Sequence, residues 1–305
     1  MSTNTIIDYI NVKKYEISGL PDGIGISTMC ASCKLSSRII IQNIDNYLQL
    51  NPDDILTVKP NNNKKRTLLT LKDKPKRNKK TLLKKESKIN KNNFYNQITI
   101  VIRIDSGFID NLDKSKKINM KLFKNGSIQM SGCKSIDNIN VGLNKLVNKL
   151  KEIKGVMENN KIIEKPFVEE IDTLTVTNFK IDMINSNYQV KMQVDRQKLY
   201  QLLQKKKIKS SYEPCIRACV IIKFIPEIEN DGQKEVSIFI FQKGNIIITG
   251  ARAKSHIIAS YTYINNILLT HYDEIIKKNE SDEEKLILNI YDELVKEIDV
   301  GLLIL

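Results

Sequence analysis

The sequence predicts an α+β fold built from two copies of one strand, turn, strand, helix unit, and three observations predict it. Phe123 to Lys134 reads FKNGSIQMSGCK and Phe241 to Arg252 reads FQKGNIIITGAR, one pattern repeated 118 positions apart. Apolar residues recur at helical spacing after each copy. An apolar strand bearing a single base precedes each. A solenoid needs at least three units, so two long ones indicate a pseudo-symmetric pair arising from duplication.

In chain order, an N-terminal segment (1–22) leads into the first repeat (23–154). There TIVIRID (Thr99 to Asp105) reads as a strand whose one base is Arg103. In FKNGSIQMSGCK a Gly sits in a short polar turn between two apolar runs, which is how a β-hairpin is written. Ile139, Leu143, Leu146, Val147 and Leu150 then share one helical face. A linker (155–170) separates this unit from the second repeat (171–278), where VIIKFI (Val220 to Ile225) carries Lys223 and the hairpin follows from Phe241. Ile257, Ile258, Tyr261, Ile264, Ile267 and Leu268 mark its helix. The base precedes its Phe by 20 positions in the first copy and 18 in the second. In the acidic tail (279–305), Leu286, Ile287, Ile290, Leu294 and Ile298 have the spacing of an extra helix that docks on the core or on a partner.

At 305 residues and 41% hydrophobic content the chain can bury two cores. Its net charge of +14 points to a polyanionic partner, but Thr57 to Asn93 alone holds 14 Lys and Arg against Asp73 and Glu86. That window supplies +12 and leaves +2 for everything else. Rich in Lys and Asn and broken by Pro60 and Pro75, it reads as a mobile insertion within the first repeat (57–93). It is either a solvated loop, an arm that tethers nucleic acid through phosphate charge, or a nuclear import signal. No charged and apolar leader is visible, and no apolar run approaches the roughly 20 residues that cross a bilayer, so a soluble intracellular protein without a membrane partner is expected.

Catalytic and metal chemistry find little footing. Cys30 and Cys33 form CxxC, and Cys215 and Cys219 form CxxxC, which together offer four thiolates to zinc. Both pairs lack turn glycines and lie in apolar, strand-like surroundings, so buried core thiols are the better reading and neither metal nor cofactor is expected. His256 and His271 are the only histidines, both in helical pattern. GIGIS at Gly23 to Ser27 lacks the Lys-Ser/Thr ending of a phosphate loop. No catalytic residue is assigned, and the chain is expected not to be an enzyme.

The duplicated unit, a hairpin ending in Thr-Gly-Ala-Arg, and SSYEP at Ser210 to Pro214 resemble the TATA-box-binding protein family over about Gly23 to Lys278. The resemblance implies a pseudo-two-fold saddle, one curved antiparallel sheet with helices on its convex back. Its concave face would lie in the minor groove of double-stranded, A·T-rich promoter DNA, where apolar side chains suit a donor-poor floor and aromatic wedges stabilise a kink. The implied partners are a B-type general initiation factor and the RNA polymerase machinery. The Lys, Asn and Ile bias is similar to family versions carried by large DNA viruses or by protists with A·T-rich genomes, so a nucleus, viral factory or virion is the expected setting.

Position by position, the resemblance implies that Phe123 and Phe241 are the second wedge of each repeat. Arg103, Lys134, Lys223 and Arg252 match phosphate-holding bases, and Ile247 and Thr249 match groove-floor contacts. Ser131 matches the threonine of the first strand, Asn178 in VTNFK matches an asparagine that bonds base edges, and Tyr212, Glu213 and Pro214 match the B-type factor's docking loop. Departures accompany these matches. Arg217 stands where the second repeat has its first wedge, and the first repeat's equivalent falls near Gln97, with Phe94 and Tyr95 out of register. Gln129 and Lys180 replace apolar groove contacts, and Ile24 stands at the first repeat's asparagine. A base can still enter a narrow A·T minor groove, drawn by its negative potential. Residue by residue, Phe123 and Phe241 also read as hairpin core, and Arg103 and Lys223 as solvated edge charges. Two functions stay open on these residues, a DNA-binding initiation factor and a degenerate saddle acting as a protein-interaction scaffold. An enzyme on the same scaffold ranks below both.

Overall fold

The computed structural model describes residues 7–15, 17–60, 65–70, 96–105, 112–228, 234–277 and 290–291. Most of the Lys-rich window lies outside the described residues, as do Phe94, Tyr95, Leu286, Ile287, Leu294 and Ile298. The elements are β1 (Gly25–Leu35), α1 (Ile41–Tyr47), β2 (Ile55–Pro60), β3 (Arg66–Thr67), β4 (Gln97–Arg103), β5 (Lys117–Phe123), β6 (Ser127–Cys133) and α2 (Ile136–Leu150). They continue with β7 (Ile153–Glu158), β8 (Lys161–Pro166), β9 (Val176–Gln189), α3 (Arg196–Lys205), β10 (Ser210–Ser211), β11 (Cys219–Phe224), β12 (Val236–Phe241), β13 (Asn245–Ala251), α4 (Lys254–Thr270) and α5 (Tyr272–Ile275). The class is α+β as the sequence predicts, with antiparallel pairing throughout the registers found.

Two compact units emerge, Met1–Ser186 with Thr249–Ile257, and Asn187–Ile248 with Ile258–Leu305. In the first the strand order is β9–β1–β6–β5–β4–β2–β3, and in the second it is β10–β11–β12–β13. β7 and β8 pair only with each other.

The duplication reaches down to individual backbone hydrogen bonds. Leu35 N donates to Gly126 O at 2.9 Å, and Val190 N donates to Gly244 O at 2.9 Å. Ile39 N to Lys124 O (3.0 Å) is matched by Val194 N to Gln242 O (2.8 Å), and Ile40 N to Phe167 O (2.9 Å) by Asp195 N to Ile275 O (2.7 Å). Even the isolated bridges correspond, Ile39 with Val168 and Val194 with Ile276.

These equivalences explain why both copies of the motif carry Gly. Gly126 and Gly244 take φ of +86° and +78° at the end of a tight turn, a conformation that side chains disfavour. Each also lets another strand's end pass closely. A Cβ on Gly126 would stand 2.6 Å from Ser37 O, and one on Gly244 would strike Val190 O and Met192 O.

Alternation then sorts each strand into a core side and an outward side. Ile98, Ile100 and Ile102 of β4, Ile118, Met120 and Leu122 of β5 and Ile128 and Met130 of β6 are buried beneath α2. α2 starts at Ser135, whose side chain accepts from Asn138 N, and it buries Ile139, Leu143, Leu146, Val147 and Leu150. Each such side chain contributes about 1.5–3 kcal/mol when fully buried. In the second unit Val220 and Ile222 of β11 and Ile238 and Ile240 of β12 are buried. The Tyr263 ring of α4 stacks on Phe224 at 4.1 Å, and Tyr261 meets Tyr188 edge-on at 4.9 Å.

Two expected boundaries change. Thr57–Pro60 belongs to β2, where Thr57 and Val58 are buried, and Arg66–Thr67 forms β3 against it. Arg66 donates to the carbonyls of Leu48 (2.8 Å), Ile44 (3.1 Å) and Asp45 (2.6 Å), so it caps the C-terminus of α1. The insertion therefore begins after an anchored segment. It also occupies the connection that in the second repeat is SSYEP and its loop, because β2 precedes β4 as β10 precedes β11. The expected linker is likewise structured. β7 and β8 form a hairpin whose turn residues Asn159 and Asn160 have φ of +51° and +59°, and Phe167 and Val168 beyond it return to the first repeat's core. The first repeat accordingly extends past 154.

Candidate nucleic-acid interface

The outward sides of the strands carry Phe123, Gln129, Ser131, Lys180, Lys223, Phe241, Ile247 and Thr249 among the residues that the resemblance singled out. On the first repeat the register aligns Lys34 with Ser127, Ser32 with Gln129, and Cys30 with Ser131 between β1 and β6. Across β6, β5 and β4 it aligns Gln129 with Lys121 and Thr99, Ser131 with Asn119 and Val101, and Phe123 with Gln97. β9 adds exposed Lys180 beside Asp182 (3.9 Å), and Ser32 Oγ donates to Asp182 Oδ1 at 3.0 Å. Cys30, Thr99, Asn119, Lys121, Gln129, Ser131 and Asp182, with Ala31 and Met130, line a groove of about 320 Å³. It is a polar face.

The second repeat differs at equivalent positions. Ile221 stands opposite Phe239 and Cys219 opposite Phe241, while Ile247 of β13 is half-buried on the same side as Asn245. Where the first repeat has Lys121 and Gln129, the second has Phe239 and Ile247. Phe241 is half-buried at the end of β12, and Phe123 lines an open cleft of about 470 Å³ with Arg38, Asn96, Lys124 and Asn125. Neither Phe is closed into the core.

Two wedge and phosphate assignments need correction. Arg217 does not face Phe241. Cys219 does, and Arg217 is exposed in the turn where its N donates to Glu213 O at 2.8 Å. In the first repeat the equivalent of Arg217, Gln97, does face its Phe, so the two copies differ by two residues in pairing register. Arg103 is not available to a phosphate. Only 3% exposed, it bonds Asp105 Oδ1 at 2.8 Å, Asp53 Oδ1 at 3.4 Å and Pro52 O at 3.3 Å. A guanidinium buried among carboxylates is a structural group.

The remaining bases are accessible. Lys134 and Arg252 are exposed where each hairpin leads into its helix. Arg252 N donates to Nδ1 of buried His256 (3.1 Å), so His256 serves the start of α4 and carries its ring proton on Nε2. His271 Nδ1 lies 2.7 Å from Glu274 Oε1. Lys223 is 39% exposed, bonds Ser237 Oγ at 2.8 Å and pairs with Glu235 at 3.2 Å. Hydrogen bonds from Lys209 and Lys223 hold the Glu235 carboxyl below its usual range.

Asn178 is exposed with a left-handed φ of +52°, which turns the start of β9, and Thr249 Oγ1 is bonded to Asn185 Oδ1. The 155-residue offset that relates Leu35 to Val190 matches Asn178 to Gly23, which is exposed with φ of +84°, so the first repeat's matching site is Gly23 and not the half-buried Ile24. Tyr212 is partly structural. Its ring lies 5.6 Å from the Arg196 guanidinium and 6.1 Å from the Tyr200 ring, while Glu213 and Pro214 are exposed. Arg196 also bonds Ala218 O and Gln242 Oε1, tying the loop down at both ends.

The cysteines divide by alternation. Cys30 faces outward and Cys33 inward on β1, so their sulfurs diverge, and burial pushes the Cys33 and Cys133 thiols up to about 12. Cys215 is exposed in the SSYEP loop and Cys219 is buried in β11. Among the described residues no helix is long and apolar enough to cross a membrane. Sequence reasoning missed Lys121, Asn119, Asp182, Asn185 and Phe239. Stepping back by two from each motif Phe would have found Lys121, Asn119 and Phe239.

The model of transcription factor TFIID, or TATA-binding protein, matches residues 178–271, which lie within the second repeat. A TATA-box-binding protein-like protein of Acanthamoeba polyphaga mimivirus is 35% identical over 281 residues, covering 88% of this chain and 70% of that relative. A solved structure of Methanococcus jannaschii TBP superposes with a TM-score of 0.44 at 14% identity, covering 82% of this chain and 98% of that one.

Proposed function

Because the chain belongs to the TATA-box-binding protein family, we propose that it is a transcription initiation factor whose outward strand faces bind A·T-rich promoter DNA in the minor groove. The observation that carries this reading is the second repeat's set of Phe239, Phe241 and Ile247, which alternate with the buried core residues of β12 and β13 and stay half-exposed on the side away from that core. Such a set is costly in water, suits a groove floor of A·T pairs, and lets Phe241 wedge a base step. Lys134 and Arg252 beside the faces supply phosphate contacts, and exposed Glu213 and Pro214 supply the surface for a B-type initiation factor and, through it, the polymerase. The Lys-rich segment adds salt-sensitive attraction for either strand.

A second reading rests on Gln97, Arg217 and the committed Arg103, which leave the wedges and phosphate clamps incomplete. On that reading the faces bind protein and no longer bend DNA. Fluorescence anisotropy against A·T-rich and G·C-rich duplexes over a salt series separates the two. A preference for A·T-rich DNA that persists at high salt supports the initiation factor. Binding that is equal for both duplexes and vanishes with salt supports the scaffold.

A further inference from the structure

We propose that the polar groove on the first repeat accepts a G·C base pair through the guanine N2 amine, so that the protein reads an asymmetric site, one half strictly A·T and one half tolerant of G·C. This rests on the minor-groove reading above.

The minor groove of an A·T pair offers acceptors alone, whereas G·C adds one donor, the guanine N2–H. An apolar floor such as Phe239 and Ile247 leaves that donor buried without a partner, which is a large penalty. The first repeat supplies the partner. Asp182 accepts Ser32 Oγ on Oδ1, and Lys180 also approaches Oδ1. Ser32 is the neighbour of Gln129, which stands opposite Lys121. Carboxylate and amide oxygens thus share one groove with ammonium and amide donors.

The carboxylate is the telling group. A face that met only acceptors and phosphates would be weakened by a half-exposed carboxylate, and guanine N2–H is the one donor a minor groove presents to it. Lys121 and the Gln129 amide nitrogen complete the set by donating to guanine N3 and cytosine O2.

The test uses the full chain and an A·T-rich duplex that it binds, with each base pair replaced in turn by G·C or by inosine·C. Inosine lacks the N2 amine, so the ratio of the two affinities isolates that group. In one half of the site the two replacements are expected to bind within about twofold, and in the other G·C should bind about tenfold more weakly or worse. Gln129→Ile with Asp182→Ala should extend the penalty into the tolerant half, whereas Asp182→Asn, which keeps an acceptor, should not. If the double variant melts early, Asp182→Ala alone, which removes the carboxylate from a half-exposed position, carries the same test. An equal G·C penalty in both halves, or a pattern that the variants leave unchanged, overturns the proposal while leaving minor-groove binding intact. Absence of any A·T preference that survives salt overturns both.

Discussion

The two repeats share a backbone and differ in what they present. Equivalent hydrogen bonds close both hairpins, yet Lys121 and Gln129 occupy the positions that Phe239 and Ile247 hold in the other copy. A core is constrained by packing on every side, so both copies keep Ile and Leu there. The outward side answers only to what it touches, so after duplication the faces are free to diverge while the fold is retained. The match of the family model to 178–271 falls on the copy whose face is still apolar.

The largest expected effect breaks the apolar face. Phe241→Ala with Ile247→Lys should cost A·T-selective binding on the order of 100-fold while sparing most binding to G·C-rich DNA at low salt. Equal losses on both duplexes would show that the apolar face is not the selective one.

Removal of the basic segment gives a graded result. Deleting 71–93 should leave the melting temperature nearly unchanged and lower the slope of log affinity against log salt. Deleting 57–93 also takes away β2 residues, β3 and the Arg66 cap on α1, and should unfold the first repeat. Arg66→Ala alone is expected to cost about 1–3 kcal/mol in thermal or urea unfolding. Identical melting of the two deletions would refute the anchoring role.

The pair Arg103 and Lys223 sharpens the comparison further. Arg103→Ala should destabilise the fold by about 2 kcal/mol, because it strips Asp105 of a buried partner. Lys223→Ala should change stability by less than about 0.5 kcal/mol and act on DNA affinity. A reversed pattern would restore Arg103 to the phosphates.

The smallest effect is one of pH. Burial pushes the Asp105 carboxyl up, but hydrogen bonds from Lys116 N and Arg103, with the Arg103 charge, more than offset it and hold the group below its ordinary value. A depressed carboxyl contributes stability that is present above its unfolded pKa and is lost as pH falls through the folded one. Melting curves should therefore drop more steeply below about pH 4 for the native chain than for Asp105→Asn.

Much of this was legible in the sequence because it is local. The Phe-x-x-Gly turns, the alternation in β5, β6, β12 and β13 and the helical faces of α2 and α4 depend on neighbours within a few residues. The β7–β8 hairpin left only a faint signal, an Asn-Asn turn between strands whose Lys and Glu residues blur the alternation. Arg103 was misread because sequence shows Asp105 two positions on but not the burial that commits the base, and the other groups that hold it, Asp53 and the Pro52 carbonyl, lie 50 and 51 positions away.

What the sequence determined by itself is the duplication, the α+β class and the family, since these reside in periodicity and short motifs. Only the tertiary structure decided which residue faces which. Loops of different length shift pairing by whole residues, so Phe241 meets Cys219 while Phe123 meets Gln97. Likewise only long-range packing placed Asp182 beside Ser32 and turned a row of scattered polar residues into one groove. Periodicity is a property of a segment. Register and burial belong to pairs of segments, and their energies come from contacts between residues far apart in the chain.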